Sequence, residues 1–387
     1  MPIRFLTAGE SHGKGTIIIL EGFPSQLSIS AKDINLELAR RQKGYGRGGR
    51  MLIETDQVEI LSGVRKGVTL GSPITLFVKN KDYENWEKIM SPEPSGEISG
   101  NPLLRPRPGH ADLPGGLKYN QRDLRNILER ASARETTARV AGGAVAKKLL
   151  NEFNIQVQSH VAQLGSVVSK NQAEKIKDLN RIADQSPVRM LNSSAEKKAV
   201  ALIDEAKKNG DTLGGIFEVL ITGVPAGLGS HVQWDRKLDG RLAQAMLSMQ
   251  AIKGVEIGKG FENATRMGSA VHDEITYKRG KGFFHFTNRA GGIEGGMSNG
   301  ETIVVRAAKK PIATLRKALR SIDIVSKKEI KAAYERSDTC ALPAASVIGE
   351  ALCAWVLADS FLEKMGGDYL GEIKQRYKFY LKHLQNY

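Results

Sequence analysis

The stretch AGESHGKGTIIILE, residues 8–21, sets the first elements of the fold. Residues 9–13 within it read Gly-Glu-Ser-His-Gly, which fits the G-x-S-x-G pattern of the serine-hydrolase nucleophile elbow. That elbow requires a strand before the serine and a helix after it. Residues 16–21 are instead rich in β-branched side chains and predict a strand. The sequence therefore predicts a glycine-rich turn between strands at 3–7 and 16–21, and it disfavours Ser11 as a nucleophile.

Two further glycine-rich patterns suggest nucleotide binding but lack the required context. GESHGK is one residue short of a P-loop, and its Lys14 is followed by glycine rather than by Ser or Thr. GYGRGG at 44–49 fits G-x-G-x-x-G, but it follows a predicted helix at 31–42, which Ser30 and Asp33 open in a pattern close to a capping box. A dinucleotide-binding fingerprint would follow a strand. Neither motif therefore supports a nucleotide-binding fold.

The rest of the chain predicts a mixture of strands and helices without the strict alternation of a parallel α/β fold. This mixture favours the α+β class, in which helices pack on sheets. Residues 84–120 are rich in Pro, Gly and charge and predict a long functional loop. Strands are predicted at 52–61, 68–78, 217–222, 283–287 and 302–307, and helices at 121–153, 193–209, 236–250, 343–365 and the C-terminus.

The predicted helix at 121–153 contains a second capping pattern, Ser132-Ala133-Arg134-Glu135. One interpretation is a break near Ala131 with a new helix starting at Ser132. The new N-terminus would then present backbone N–H groups and a positive dipole end to an anion. The alternative is one continuous helix with an exposed serine.

The charge balance indicates an anionic partner. The 387 residues carry a formal net charge of +15, and the sequence pI is about 9.6. Nucleic acid, an anionic membrane surface or a multiply anionic small molecule could each account for this excess. Aromatic residues make up only 6% and do not interleave with the basic ones, so the stacking platforms of a nucleic-acid-binding protein are missing.

The arginines gather among glycines and histidines, which favours the small polyanion, because guanidinium groups bind phosphate and carboxylate in a bidentate manner. No apolar run of membrane-spanning length and no secretory signal is visible, so a cytoplasmic protein without a membrane partner is expected. Cys340 and Cys353 are too few for a disulfide framework or a zinc site, and no metal is expected. The clustered arginines are Arg40, Arg41, Arg47, Arg50, Arg105, Arg107, Arg122, Arg125, Arg130, Arg134 and Arg139.

Two histidines have unusual neighbours. His12 lies in the glycine-rich turn, and His110 lies in Arg107-Pro108-Gly109-His110-Ala111-Asp112. An imidazole in such a place can protonate a leaving phosphate or pass a proton to a cofactor. Asp338 in the stretch ERSDTC would, on its own, be interpreted as a helix-capping or turn carboxylate.

Three separated motifs resemble the chorismate synthase family: GESHGKGTIIILEGFP at 9–24, LERASARETTARVAGGAV at 128–145 and RSDTCALPAASVIGEAL at 336–352. RRQKGYGRGGRM, RPGHAD, MQAIKGVEIG, GGIEGGMSNG and KKPIATL also follow in family order. The resemblance extends from Phe5 to about Leu362. It implies one domain, 1–387, with a β-α-β sandwich fold, a C-terminal helix at about 368–387 and assembly into a homotetramer.

The resemblance also implies an activity. The family converts 5-enolpyruvylshikimate 3-phosphate to chorismate by an anti-1,4-elimination of phosphate, on the shikimate pathway to aromatic amino acids. Such an enzyme is a carbon–oxygen lyase acting on phosphates, and it requires reduced FMN although no net redox change occurs. The substrate and FMN are both anionic, in agreement with the clustered arginines. A flavin-dependent oxidoreductase that uses the same pocket for net hydride transfer remains the alternative.

Specific roles are implied residue by residue. His12 would act as a general acid beside the leaving phosphate, His110 would protonate or stabilise the reduced flavin, and Asp338 would relay the ring proton. Arg50 and Arg134 would bind the anionic substrate, and Arg41 and Arg47 match positions linked to NADP. FMN contacts are implied for Arg130, Ala131, Ser132, Gln250, Ala251, Gly295, Lys310, Pro311, Ile312, Ala313, Thr314 and Arg336.

The chain departs from the family pattern at three of these positions. Ala131 stands where Ser is common, Gln250 where Asn can occur, and Ala313 where Pro is usual. Backbone groups could still make the contacts there. Some members reduce their own flavin with NADPH, but no added reductase segment is apparent here, so reduced FMN is expected to come from outside and NADPH to serve only as an external reductant.

Overall fold

The computed structural model describes residues 3–48, 55–94, 102–170, 173–280, 282–333 and 338–387. Mixed helices and antiparallel sheets confirm the α+β class. The strands of the described residues are β1 Arg4–Ala8, β2 Gly15–Glu21, β3 Val58–Ser62, β4 Val64–Arg65, β5 Val68–Thr69, β6 Ile74–Lys79, β7 Gln156–Leu164, β8 Val167–Val168, β9 Gly215–Thr222, β10 Ile252–Ile257, β11 Ile275–Lys278, β12 Gly282–His285, β13 Ile293–Glu294, β14 Met297–Ser298, β15 Ile303–Lys309, β16 Arg320–Ile322 and β17 Glu329–Lys331.

The α-helices of the same residues are α1 Ala31–Gln42, α2 Asp112–Lys118, α3 Arg125–Ala131, α4 Thr136–Asn151, α5 Leu179–Ala183, α6 Ser193–Lys208, α7 Leu238–Leu247, α8 Leu342–Met365 and α9 Leu370–Asn386. The predicted helix at 31–42 is confirmed, and Ser30 and Asp33 form the complete capping box. The predicted long loop at 84–120 instead contains the helix α2, and a 3₁₀ turn at Lys81–Asn85 overlaps its start.

Two sheets form the outer layers of a sandwich. One has the strand order β1-β2-β6-β3 and the other β10-β15-β9-β7-β8, and all their neighbouring strands are antiparallel. Helix α4 packs on β2 and β6, whereas α8 packs on β7 and β9. These two helices also pack on each other. One hydrophobic cluster consequently runs from the first sheet through the helices to the second, which is the expected β-α-β sandwich.

Two adjacent glycines let the middle of α4 approach both neighbouring layers. A Cβ at Gly142 would lie 2.7 Å from Ile18 of β2, and a Cβ at Gly143 would lie 2.4 Å from the Cβ of Ala351 in α8. Glycine is unfavourable in a helix interior by roughly 1 kcal/mol relative to alanine. Close packing of the layers outweighs this preference.

We therefore expect Gly143→Ala to destabilise the protein by about 1–3 kcal/mol, because overpacking exceeds the gain in helix propensity. The melting temperature should fall measurably. The matched control is Gly240→Ala in α7, where a Cβ would meet nothing closer than 3.9 Å. That change should leave the melting temperature unchanged or raise it. A Gly143→Ala protein as stable as the Gly240→Ala protein would contradict the packing argument.

Helix α8 is long and apolar enough, by length and composition, to span a membrane, with a mean hydropathy of 1.5 over its most apolar window. The expectation that the chain has no apolar run of this length is therefore wrong for α8, in which Glu350 and Asp359 interrupt the apolar residues. Of that window, 89% is buried inside the fold. The helix therefore serves here as the central core helix.

The predicted break near Ala131 is confirmed, with a different restart. Helix α3 ends at Ala131, a 3₁₀ turn covers Ala133–Glu135, and α4 begins at Thr136. The Ser132 side chain accepts a hydrogen bond from the Arg134 N–H. This cap closes the 3₁₀ turn, so the α-helix starts four residues later than predicted.

Candidate active site

The turn between β1 and β2 is held in place by one buried amide, that of Asn80. Its Nδ2 donates to the carbonyls of Gly13 at 2.7 Å and of Ser11 at 3.2 Å. Asn80 follows β6, which pairs with β2, so the sheet itself brings this amide beneath the turn. His12 therefore projects from a rigid loop rather than from a flexible one.

His12 rests on a buried carboxylate from α3. Glu129 is 2% exposed, and its oxygens lie 2.9 and 3.0 Å from His12 Nδ1. The same carboxylate accepts the His12 backbone N–H at 2.8 Å. Burial disfavours the charged form of Glu129, but the hydrogen bonds from His12 outweigh it and hold the pKa of Glu129 below its usual range. The arrangement fixes the ring and directs Nε2 away from Glu129.

Trp86 covers the other side of this histidine. The two rings are stacked with centroids 3.9 Å apart, and the Arg125 guanidinium lies 5.1 Å from the Trp86 ring centroid. Arg125 also lies 3.5 Å from Glu129. A stack of this kind restricts the imidazole to one orientation.

A buried arginine cluster adjoins the His12 turn; it consists of Arg41, Arg47, Arg134, Asp56 and Asp338. Arg134 Nε donates to Asn80 Oδ1 at 2.8 Å, and Arg134 and Arg41 share the Asp56 carboxylate. Asp56 is 2% exposed, and although burial opposes ionisation, the two guanidinium groups hold its pKa below the usual range.

The cluster continues to Asp338. Arg47 donates to the Arg41 carbonyl at 3.4 Å and lies 3.0 Å from the Asp338 carboxylate. Asp338 also accepts the Gly48 N–H at 2.6 Å. The glycine-rich segment at 44–48 thus joins α1 to the segment that precedes α8.

His110 belongs to a second carboxylate-centred group. His110 Nδ1 lies 2.5 Å from Asp112, and Arg107 Nε lies 2.8 Å from the same carboxylate. Arg107 also donates to Thr314 Oγ1 at 3.0 Å, and the Lys310 ammonium donates to the Gly109 carbonyl. The segment at 310–314 is therefore packed against the His110 loop.

The remaining predicted residues fall into three groups. Arg130, Ala131 and Ser132 adjoin the His12 turn, where Ser132 donates to Ser11 Oγ at 3.0 Å and Arg130 to the Gly9 carbonyl at 3.1 Å. Gln250 and Ala251 lie beside the 310–314 segment, since Lys310 N–H donates to the Ala251 carbonyl at 2.9 Å. Arg50 and Arg336 lie outside the described residues.

Gly295 is the described residue that the chain does not bring to this site. It lies in the β13–β14 hairpin, near the Ile303 end of β15, whereas Lys310 follows the opposite end of that strand. Seven strand residues separate the two ends by about 20 Å. Its role stays a prediction.

Known proteins that resemble this chain identify its family. A family model described as chorismate synthase matches residues 3–362. The chain belongs to the chorismate synthase family. It is 56% identical over 397 residues to a chorismate synthase of Aquifex aeolicus, covering 100% of this chain and 99% of that one. A chorismate synthase of Moorella thermoacetica is 57% identical over 383 residues, with 99% of each chain covered.

A solved structure described as a crystal structure of chorismate synthase gives a TM-score of 0.82 at 48% identity, covering 100% of this chain and 99% of the other. This likeness agrees with the layered fold described above. Five residues of this site were not predicted from the sequence. They hydrogen-bond to, pair with or stack on the predicted site residues, and they are Asn80, Trp86, Asp56, Asp112 and Glu129. A signal existed only for Asp112, which lies two residues from His110.

The residues present fit a flavin phosphate and other anionic groups. Among the described residues, Arg41 Nε is a buried donor and Gln250 Oε1 a buried acceptor, and neither has a hydrogen-bond partner. The side chains around Asp56 and Asp338 include more cationic groups than carboxylates: Arg41, Arg47, Arg134 and Lys309. This donor set suits phosphate and carboxylate oxygens.

Asp112→Asn should uncouple His110 from Arg107 and change the acid stability of the protein. Burial opposes ionisation of Asp112, but hydrogen bonds from His110 and Arg107 hold its pKa well below the usual range. Its stabilisation is therefore present above the unfolded-state value of about 4 and is lost as the pH falls toward the folded-state value.

We expect Asp112→Asn to lower the free energy of unfolding by about 1–3 kcal/mol at pH 7. On acidification, the free energy of unfolding of this variant should fall less than that of the unsubstituted protein. Urea denaturation at pH 7 and at about pH 3.5 measures both effects. Asp211→Asn, at an exposed position, is the control. Parallel pH profiles for all three proteins would contradict the assigned coupling.

Proposed function

We propose that this protein is a carbon–oxygen lyase that converts 5-enolpyruvylshikimate 3-phosphate to chorismate with reduced FMN, on the shikimate pathway. One observation carries the proposal. Contacts link His12, through Asn80 and Arg134, to the arginine cluster that ends at Asp338. Together with the family membership, this supports a single polyanion site with the proton-transfer groups at its edge.

His12 donates a proton to the leaving phosphate. In the doubly protonated ring, Nδ1–H is donated to Glu129, so the proton available for transfer is the one on Nε2, which faces away from the protein support. A phosphate that leaves with the electron pair of the C–O bond gains negative charge, and Arg134 stabilises this charge. Arg50 is assigned to the same task.

Asp338 accepts the ring proton as the C–H bond breaks. Its contacts with Arg47 and the Gly48 N–H orient the carboxylate. A fixed carboxylate adds little reorganisation cost to the proton transfer. The proton leaves on one side of the ring and the phosphate on the other, as an anti-elimination requires.

The flavin would be bound by Arg130, Ala131, Ser132, Gln250, Ala251 and the segment at 310–314, with Arg336 and Gly295. When bound there, reduced FMN would supply the transient electron density that cleavage of the C–O bond needs. His110 exchanges a proton with the flavin through an imidazole that Asp112 and Arg107 hold in place. Arg41 and Arg47 match the NADP-linked positions, and NADPH acts only as an external reductant of the flavin.

We further propose a cytoplasmic homotetramer made of one domain per chain. A small anionic substrate, rather than nucleic acid or a membrane, is the partner of the basic surface. Size-exclusion chromatography with light scattering measures the mass of the assembly. A monomer at micromolar concentration would contradict this proposal.

The decisive experiment mixes the protein with photoreduced FMN and 5-enolpyruvylshikimate 3-phosphate without oxygen. Chorismate absorbance and free phosphate should rise in equal amounts, with many turnovers for each reduced flavin. NADPH oxidation in proportion to product would favour the flavin-dependent oxidoreductase instead. No phosphate release with bound, reduced flavin would overturn the lyase assignment.

A further inference from the structure

Lys309 is a charged residue at the site that none of the assigned roles uses. It ends β15, where it pairs with Gly215 of β9 and Ile252 of β10. It is in phase with Val305 and Ala307, which belong to the hydrophobic core between the sheets. Its side chain therefore points to the inner face of the sheet, at the end where the site lies.

Among the residues that the structure describes, this lysine is buried without an ion-pair partner. It is only 9% exposed, and in the described part of the chain no carboxylate oxygen lies within 4 Å of its ammonium group. Other buried cations here are paired, as Arg41 is with Asp56 and Arg107 with Asp112. A buried charge without a partner is unfavourable, so folding alone does not explain Lys309.

The groups that face Lys309 come from three segments. Asp338 and Cys340 precede α8, Arg47 follows α1, and Lys310 is its neighbour in the chain. Burial lowers the pKa of Lys309, and the charges of Arg47 and Lys310 act in the same direction, against Asp338 and Cys340. A further negative charge beside the amine would act in the same direction as Asp338 and Cys340 and raise its pKa again.

We propose that Lys309 is a ligand for a phosphate or carboxylate oxygen of the anions bound at this site. The bound anion adds a negative charge in direct contact with the amine, beyond that of Asp338, and it favours the protonated amine. Binding is then linked to proton uptake in the pH range where the free amine loses its proton. This inference rests on the proposed function, because that function supplies the anions.

The sign of the pH dependence follows from this linkage. The amine is protonated more readily in the complex than in the free protein. The contribution of Lys309 to affinity is therefore complete below the pKa of the free amine and is lost as the pH rises above it.

The test compares Lys309→Met with Lys309→Arg by calorimetric titration at pH 7.5 and 9.5, with FMN alone and with 5-enolpyruvylshikimate 3-phosphate in the presence of FMN. Lys309→Met should weaken the binding of one of the two anions by about 10–100-fold at pH 7.5, which is the usual contribution of a hydrogen bond to a charged group. Lys309→Arg should retain affinity for that anion. Its affinity should not decrease between pH 7.5 and 9.5, because the guanidinium group stays protonated. The anion whose binding is weakened is the one that provides the oxygen bound by Lys309.

The matched control is Lys253→Met, at an exposed position in the adjacent strand β10. It should change neither affinity nor its pH dependence. The melting temperature of ligand-free Lys309→Met should be equal to or above that of the unsubstituted protein, because an unpaired buried charge is removed. A purely structural lysine would give a lower melting temperature.

Equal affinity of Lys309→Met and the unsubstituted protein for both anions would overturn this inference and leave the lyase assignment standing. Failure of the unsubstituted protein to bind either anion would overturn both. Weakened binding together with lost proton uptake, measured in buffers of different ionisation enthalpy, supports the inference.

Discussion

His12→Ala should lower the turnover of 5-enolpyruvylshikimate 3-phosphate by about 10²–10⁴-fold, with little change in the binding of oxidised FMN. The reason is the geometry at Glu129, which fixes Nδ1 and leaves Nε2 to protonate the departing phosphate. Anaerobic single-turnover measurements of phosphate release test the chemical step directly. His110→Ala should lower turnover over a similar range.

Glu129→Gln separates positioning from proton donation. The amide keeps the shape and one hydrogen bond, but it no longer presents a carboxylate to the ring. Turnover should fall by less than in His12→Ala, and the pH profile should change form because a charged neighbour of the imidazole has been removed. His272→Ala, at an exposed histidine, is the matched control. Unchanged turnover in both His12→Ala and His110→Ala would remove their assigned roles.

Glu350→Ala should destabilise the protein by about 3–5 kcal/mol, because it leaves buried cations without their partner. Glu350 in α8 is fully buried and contacts Arg40, Arg189 and Lys147 at distances from 2.7 to 3.3 Å. Burial disfavours its charged form, but these three cations hold the pKa of Glu350 well below its usual range. The carboxylate thus ties α1, α4 and the Arg189 loop to the central helix.

The expected shift in melting temperature is a decrease of about 4–6 °C, measured by circular dichroism. Glu363→Ala provides a control on the same helix, since Glu363 forms an exposed pair with Arg236. That change should cost less than about 1 kcal/mol. If the two variants melted together, the buried network would be energetically neutral. Should Glu350→Ala not accumulate, Glu350→Gln offers a milder change for the same comparison.

Local patterns predicted much of the fold because they depend on neighbours in the chain. The β-branched run at 16–21 gave β2, and the capping box at Ser30 gave α1. The start of α4 was misplaced because a serine cap serves a 3₁₀ turn as readily as an α-helix. Strand order was not predictable, because β2 pairs with β6 and β15 pairs with β9 and β10, and these partners lie far apart in the sequence.

Site residues were predictable where they lie in motifs, and their supports were not. His12 was recognisable by its glycine-rich turn, but Glu129 is 117 residues away and looks like an ordinary helix carboxylate. Asn80 was missed for the same reason, because its amide acts only after β6 has paired with β2. Lys309 resembled any basic residue at a strand end until its burial was known.

The segments that carry the site residues emerge from the ribosome at different times, because they lie far apart in the chain. His12 emerges early, whereas Asp338 and helix α8 come near the end of elongation. At typical synthesis rates, residue 338 follows residue 12 by roughly 15–65 s. During that time α4 and the strands β7 and β9 have no α8 to pack against, and the guanidinium group of Arg47 has no Asp338 carboxylate beside it. The nascent chain should therefore acquire ligand affinity only after Asp338 and α8 have emerged from the ribosome.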